Sequence, residues 1–110
     1  MVKKAFGELL GTLTLVTIGC STVAVAVLFG LSLCQVALLW GLAVFIGINV
    51  SVPISHAHLN PAVSLAMWLR KECSWQESSF FILAQLIGAF LAGLLTYLFF
   101  SSSMIFPHLS

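Results

Sequence analysis

Between two apolar stretches the sequence sets Ser55, His56, His58 and Asn60, four polar side chains in a chain of which only 6% is charged. Imidazoles this close together could ligate a metal or move a proton, but no carboxylate or thiol nearby in the sequence completes such a set. Glu8 likewise has no evident acid–base partner. The expectation is no catalytic residue, no metal site and no cofactor. What the stretch can offer is hydrogen bonds. Asn is a favoured N-cap and Pro is tolerated at the first helical position, so a helix is predicted to start at Asn60, with Pro61 and Ala62 in its first turn. It should stop near Arg70-Lys71, where charge belongs in water or among headgroups. At ~1.5 Å per residue this helix covers roughly 16 Å, about half of a ~30 Å hydrocarbon core. An extended Pro53–Leu59 reaches at most ~23 Å. A loop can therefore dip to mid-bilayer and a half-helix return to the same surface. Irregular backbone is tolerated at that depth only inside protein or beside a watery cavity, which points to a pore or transport site.

The elements that would hold such a loop are apolar. The 110 residues are 61% hydrophobic with a mean hydropathy of +1.17, which predicts an all-α membrane protein. Four basic residues and a net charge of +1 cannot form a footprint for nucleic acid. Cys20, Cys34 and Cys73 are an odd set without metal spacing, read as small buried or interfacial residues. A single membrane domain, 1–110, is expected to contain spans at 5–29, 33–52 and 79–100 and the re-entrant loop and half-helix at 53–70. A signal peptide competes for the first run, because Lys3-Lys4 precede it and Ala24-Val25-Ala26 resembles a cleavage site. The run continues past that triplet and is too long for a usual signal core, so the spanning helix is kept. Three spans and a re-entrant loop put Lys3, Lys4, Arg70 and Lys71 on one face. The positive-inside rule makes that face, and the N-terminus, cytoplasmic and places the polar tail 101–110 outside.

Within the spans, Gly7 and Gly11 form a small-xxx-small face, as do Ala37, Gly41 and the pair Ala43/Gly47. Ala84, Gly88 and Ala92 line another face. Glu8, one turn inside the first helix, needs protein or water around it and a partner. Gln85 suits a helix–helix hydrogen bond. Trp40, two turns inside its helix, reads from composition alone as a lipid-facing or core residue.

His58-Leu59-Asn60-Pro61-Ala62-Val63 resembles the first Asn-Pro-Ala loop of the aquaporin, or major intrinsic protein, family. Phe6-Gly7-Glu8-Leu9-Leu10-Gly11-Thr12 resembles that family's opening helix, and Ala84-Gln85-Leu86-Ile87-Gly88-Ala89-Phe90 its third. The resemblance implies that Glu8 is buried and helps to hold the re-entrant loop, with Gln85 as a further support. It places Trp40 in the selectivity filter and Val44 beside it on the path. Trp-Gly-Leu-Ala-Val at that position resembles the glycerol-conducting branch, where water-selective members more often carry Phe. The implied lining is Trp40, Val44, His56, Ala57, His58, Leu59 and Asn60. Loop carbonyls facing a lumen would accept, and Asn60 and the helix N-terminus would donate, while the positive dipole end opposes cations and protons. Where the family usually has Gly, this chain has His56, which should strain the backbone or crowd the cytoplasmic vestibule.

The expected partners are glycerol, water or other small neutral polyols and the lipid bilayer. The family's pore lies between two inverted halves, and these residues contain one Asn-Pro-Ala and no filter Arg. A separate second-half chain or a homo-oligomer would have to complete it, and the one-sided basic residues argue against an antiparallel homodimer. The rival expectations are a non-conducting truncated or assembly fragment and, less favoured, a small carrier subunit. A bacterial inner membrane is the expected location.

Overall fold

Each helix boundary in the computed structural model, which describes residues 1–105, has a local cause in the sequence. Helix α1, Val2–Val25, runs on through a π-helical turn, Ala26–Gly30, and ends at Gly30, whose φ of +78° suits a residue without Cβ. Ser32 then starts α2, Leu33–Ser51, through a reciprocal cap: its hydroxyl accepts from the Gln35 N–H (3.1 Å) and the Gln35 carbonyl oxygen from the Ser32 N–H (2.9 Å). An irregular segment leads to α3, Pro61–Leu69. Ser74 caps the last helix, α4, Trp75–Ile105, by accepting from the Glu77 N–H at 3.1 Å. That cap starts α4 at Trp75 rather than at Ser79. The helix also runs past Phe100, because Ser101–Ser103 do not interrupt it. Residues 106–110, including His108 of the expected polar tail, lie outside the described residues.

The described residues form no strand, and α1, α2 and α4 are each long and apolar enough to cross a membrane. Helix α1 is central and packs on both α2 and α4, while α3 packs on α4. Glycines set the spacing. A Cβ on Gly47 would stand 2.9 Å from the Gly11 carbonyl oxygen, and one on Gly88 2.6 Å from that of Leu9. Ala43, Ala84 and Ala92 are buried along the same seams. Gly41 is different: it is exposed, with open space around it, and is no contact point within the chain.

Of the largest fully buried side chains among the described residues, only Phe81 is apolar; the others are Glu8, Gln85, Ser51, Ser64 and Ser78. Leu33, Leu38, Phe45, Leu83, Phe90 and Phe99 face outward. Lipid is as apolar as Leu, so apolar side chains gain little by turning inward, and small-residue packing and hydrogen bonds have to hold the helices together.

Candidate functional site

The irregular segment between α2 and α3 is built around Glu8. This carboxylate is 0% exposed and accepts from the Ser55 hydroxyl, the His58 N–H (3.1 Å), the Leu59 N–H (2.8 Å) and the Gln85 side-chain amide (2.9 Å). Charge-assisted donors of this number offset the cost of keeping a carboxylate away from water. Two of them are consecutive backbone amides. They converge because Ala57 and Leu59 adopt φ of +53° and +55°, so the backbone changes hand at alternate residues and forms an anion-binding concavity. Left-handed backbone costs a residue with a Cβ roughly 1–2 kcal/mol. Here the bonds to Glu8 hold it in place.

The same bonds orient the carbonyls. The peptide units are trans, so N–H and C=O point in opposite directions across each. With the amides of His58 and Leu59 turned to Glu8, the carbonyls of Ala57 and His58 point away from it. Among the described residues neither carbonyl accepts a hydrogen bond.

A second layer locks the histidine. Gln85 also donates to the Ser64 hydroxyl (2.9 Å), which lies 2.8 Å from His58 Nδ1, and the Ser78 hydroxyl donates to the Ser64 carbonyl (2.9 Å). A Ser64 hydroxyl that accepts from Gln85 has its own proton for Nδ1, which favours neutral His58 carrying its proton on Nε2. The His58 ring meets Phe81 edge-on, 5.1 Å between centroids. Ser64, Ser78 and Phe81 were not singled out by sequence reasoning. The one available signal was that Ser64 is the sole polar residue of Pro61–Leu69.

Asn60 caps α3: its side-chain oxygen accepts from the Ala62 N–H at 2.8 Å, leaving the side-chain NH2 free to donate. Pro61 occupies the first turn, and Asn60 and Ala62 are exposed. The Leu59 side chain is only 7% exposed and wedges against α1 and α2, 3.3 Å from where a Gly47 Cβ would stand. It anchors the loop, and only its backbone can face a path. Trp40 lies half-buried over Gly19, where a Cβ would overlap the indole. Trp40 precedes Gly47 by two turns of α2, which places it about 10 Å along the helix from the Leu59 anchor. Val44, between them in sequence, is 41% exposed.

His56 does not adopt left-handed backbone, so the strain expected from its replacing Gly is not present; Ala57 and Leu59 carry it instead. The imidazole is exposed and lines a cleft of about 220 Å³ together with His58, Met67, Glu72 and Cys73. Burial raises the Cys73 thiol pKa, with Glu77 and then Glu72 adding to it. Among the described residues no group of three His, Cys, Asp or Glu is placed to hold a metal ion.

Three apolar helices around a buried hydrogen-bond network define an all-α integral membrane protein. The chain belongs to the Major intrinsic protein family, whose model matches residues 1–108. It is 39% identical over 104 residues to the glycerol uptake facilitator protein of Pseudomonas aeruginosa, covering 93% of this chain and 37% of that protein. Aquaporin NIP3-1 of Arabidopsis thaliana is 39% identical over 101 residues, 90% of this chain and 31% of that one. Aquaglyceroporin-3 of Trypanosoma brucei brucei is 38% identical over 96 residues, 86% and 32% of the two chains. The chain thus spans about a third of the length of the curated relatives it matches. The family is one of channels and transporters rather than enzymes.

Proposed function

We propose that this chain supplies one half of a passive channel for glycerol, water and similar small neutral solutes, with its N-terminus cytoplasmic in a bacterial inner membrane. The observation that carries the reading is the pair of unpaired carbonyls, Ala57 and His58, set beside an Asn-capped helix start. Acceptors and donors in series let a hydroxylated solute exchange partners stepwise, and the positive end of α3 opposes cations. His58 Nε2–H and the Asn60 amide add donors. The relatives named as glycerol facilitators supply the substrate class. Loop and half-helix, 53–70, are the re-entrant part in this reading, and Trp40 with Val44 forms a narrower station about two turns away along α2.

Val44, Asn60 and Ala62 are exposed, so the opposite wall has to come from outside these residues. A second half is favoured over an antiparallel copy, because the re-entrant topology proposed here would put all four basic residues on one face. The same exposure favours the rival reading of a non-conducting assembly element. Glycerol and water flux into proteoliposomes separates the two. Flux above that of empty vesicles is expected when the chain is paired with a second half carrying its own Asn-Pro-Ala; none from a folded pair would overturn the channel reading. Saturable, gradient-coupled uptake would indicate a carrier instead.

In the paired channel, His56→Gly is expected to raise glycerol flux, because the imidazole takes up space in the cleft and its backbone is unstrained. Unchanged or lower flux in stopped-flow light scattering would show that the ring does not obstruct the path.

A further inference from the structure

His56 sits where three segments meet. Its Nε2 is 3.3 Å from Lys4 Nζ on α1 and 3.6 Å from Glu77 Oε1 on α4. One nitrogen therefore faces an ammonium that only donates and a carboxylate that only accepts. A neutral ring with its lone pair on Nε2 can accept from Lys4 and has nothing to offer Glu77. An imidazolium reverses both relations: its N–H donates to Glu77, and its charge is repelled by Lys4. Histidine is the side chain whose ordinary charge change falls between about pH 5 and 8.

The two partners belong to different helices, and neither lines the cleft itself. Glu77 is close enough to Cys73 to act on its thiol, and Cys73 lines the cleft with Glu72, Met67 and His58. Lys4 belongs to the first turn of α1 and Glu77 to the first turn of α4. The other groups around the ring are His58, with centroids 6.2 Å apart, and the uncharged Phe81 at 6.3 Å. Glu8 lies behind His58, occupied by its four donors. We infer that His56 is a proton-operated latch, held toward Lys4 when neutral and drawn to Glu77, on the Cys73 side, when protonated. Its effect on flux rests on the channel reading; the movement of the ring does not.

The test uses the full chain in nanodiscs with Cys20 and Cys34 changed to Ser, so that Cys73 is the single thiol. Its labelling rate by a small thiol reagent is measured from about pH 8 to about pH 5. Each rate is divided by that of the matching His56→Gln variant, which cancels the thiol's own titration. The ratio is expected to fall roughly two- to fivefold toward acid, the bias that a half-exposed ion pair supplies. With Glu77→Gln, normalised to its own His56→Gln partner, the fall should vanish, and Lys4→Met should lower the ratio at alkaline pH. A ratio flat with pH, or a fall that survives Glu77→Gln, overturns the latch. Glycerol flux of the paired channel is read in parallel. A labelling switch in a folded pair that conducts at no pH overturns the channel reading and leaves the latch standing. Flux beside a flat ratio overturns the latch alone.

Discussion

Glu8→Ala is expected to cost the fold about 3–5 kcal/mol, because buried neutral donors lose a charged acceptor and each one left unsatisfied costs about 1–3 kcal/mol before the loop relaxes. Four donors lose their acceptor together: the Ser55 hydroxyl, two consecutive backbone amides and the Gln85 side chain. The left-handed backbone of Ala57 and Leu59 then loses what stabilises it, and the carbonyls of Ala57 and His58 lose their common orientation. Glu8→Gln is the sharper variant. Its shape is nearly unchanged, but one acceptor oxygen becomes an NH2 facing donors, so a loss of about half the Ala value is expected. Thermal unfolding in mild detergent gives the stability, and backbone amide shifts of His58 and Leu59 report the loop. A Glu8→Gln protein as stable as wild type, with those amides unmoved, would show that the carboxylate does not organise this segment.

The fold was legible wherever one residue type decides a local outcome. Uninterrupted apolar runs can bury their backbone polar groups in a bilayer only as helices, and Asn60-Pro61 can hardly be other than a helix start. The loop conformation was not legible. Positive φ is ordinarily signalled by Gly, whereas here Ala57 and Leu59 adopt it because a carboxylate roughly fifty residues away in sequence engages the amides beside them. His56 is the unusual residue of the stretch, yet its backbone is ordinary. Leu59 shows the same limit. A lining role follows from its place in the motif, but its side chain is taken by the gap that Gly11 and Gly47 leave. The Ser74–Glu77 pair carried a readable cap signal that the polar turn around it obscured.

The buried polar residues and the glycine seams are parts of one device. Gln85 reaches Glu8 and Ser64 only because α4 lies close against α1, and that approach is set at Gly88, less than one turn away on the same helix. A side chain there meets backbone, which cannot rotate aside, so packing error at the seam becomes hydrogen-bond error at the loop.

Gly88→Ala is therefore expected to destabilise by about 1–3 kcal/mol, the usual cost of an extra methyl in a full contact. Its Cβ would fall 2.6 Å from the Leu9 carbonyl oxygen and 3.3 Å from the Leu13 nitrogen, so α1 and α4 have to part by several tenths of an ångström. Parting lengthens the Gln85 bonds to Glu8 and Ser64, and a larger residue such as Leu should break them. The control is Gly41→Ala, whose Cβ meets nothing within 4 Å. There the gain in helix propensity, at most about 1 kcal/mol, is unopposed, and stability should hold or rise slightly. Unfolding midpoints of the two single variants, measured in the same detergent, decide the matter. Gly88→Ala matching Gly41→Ala would mean that α4 does not sit as close to α1 as the seam requires, and the support of Glu8 by Gln85 would fail with it.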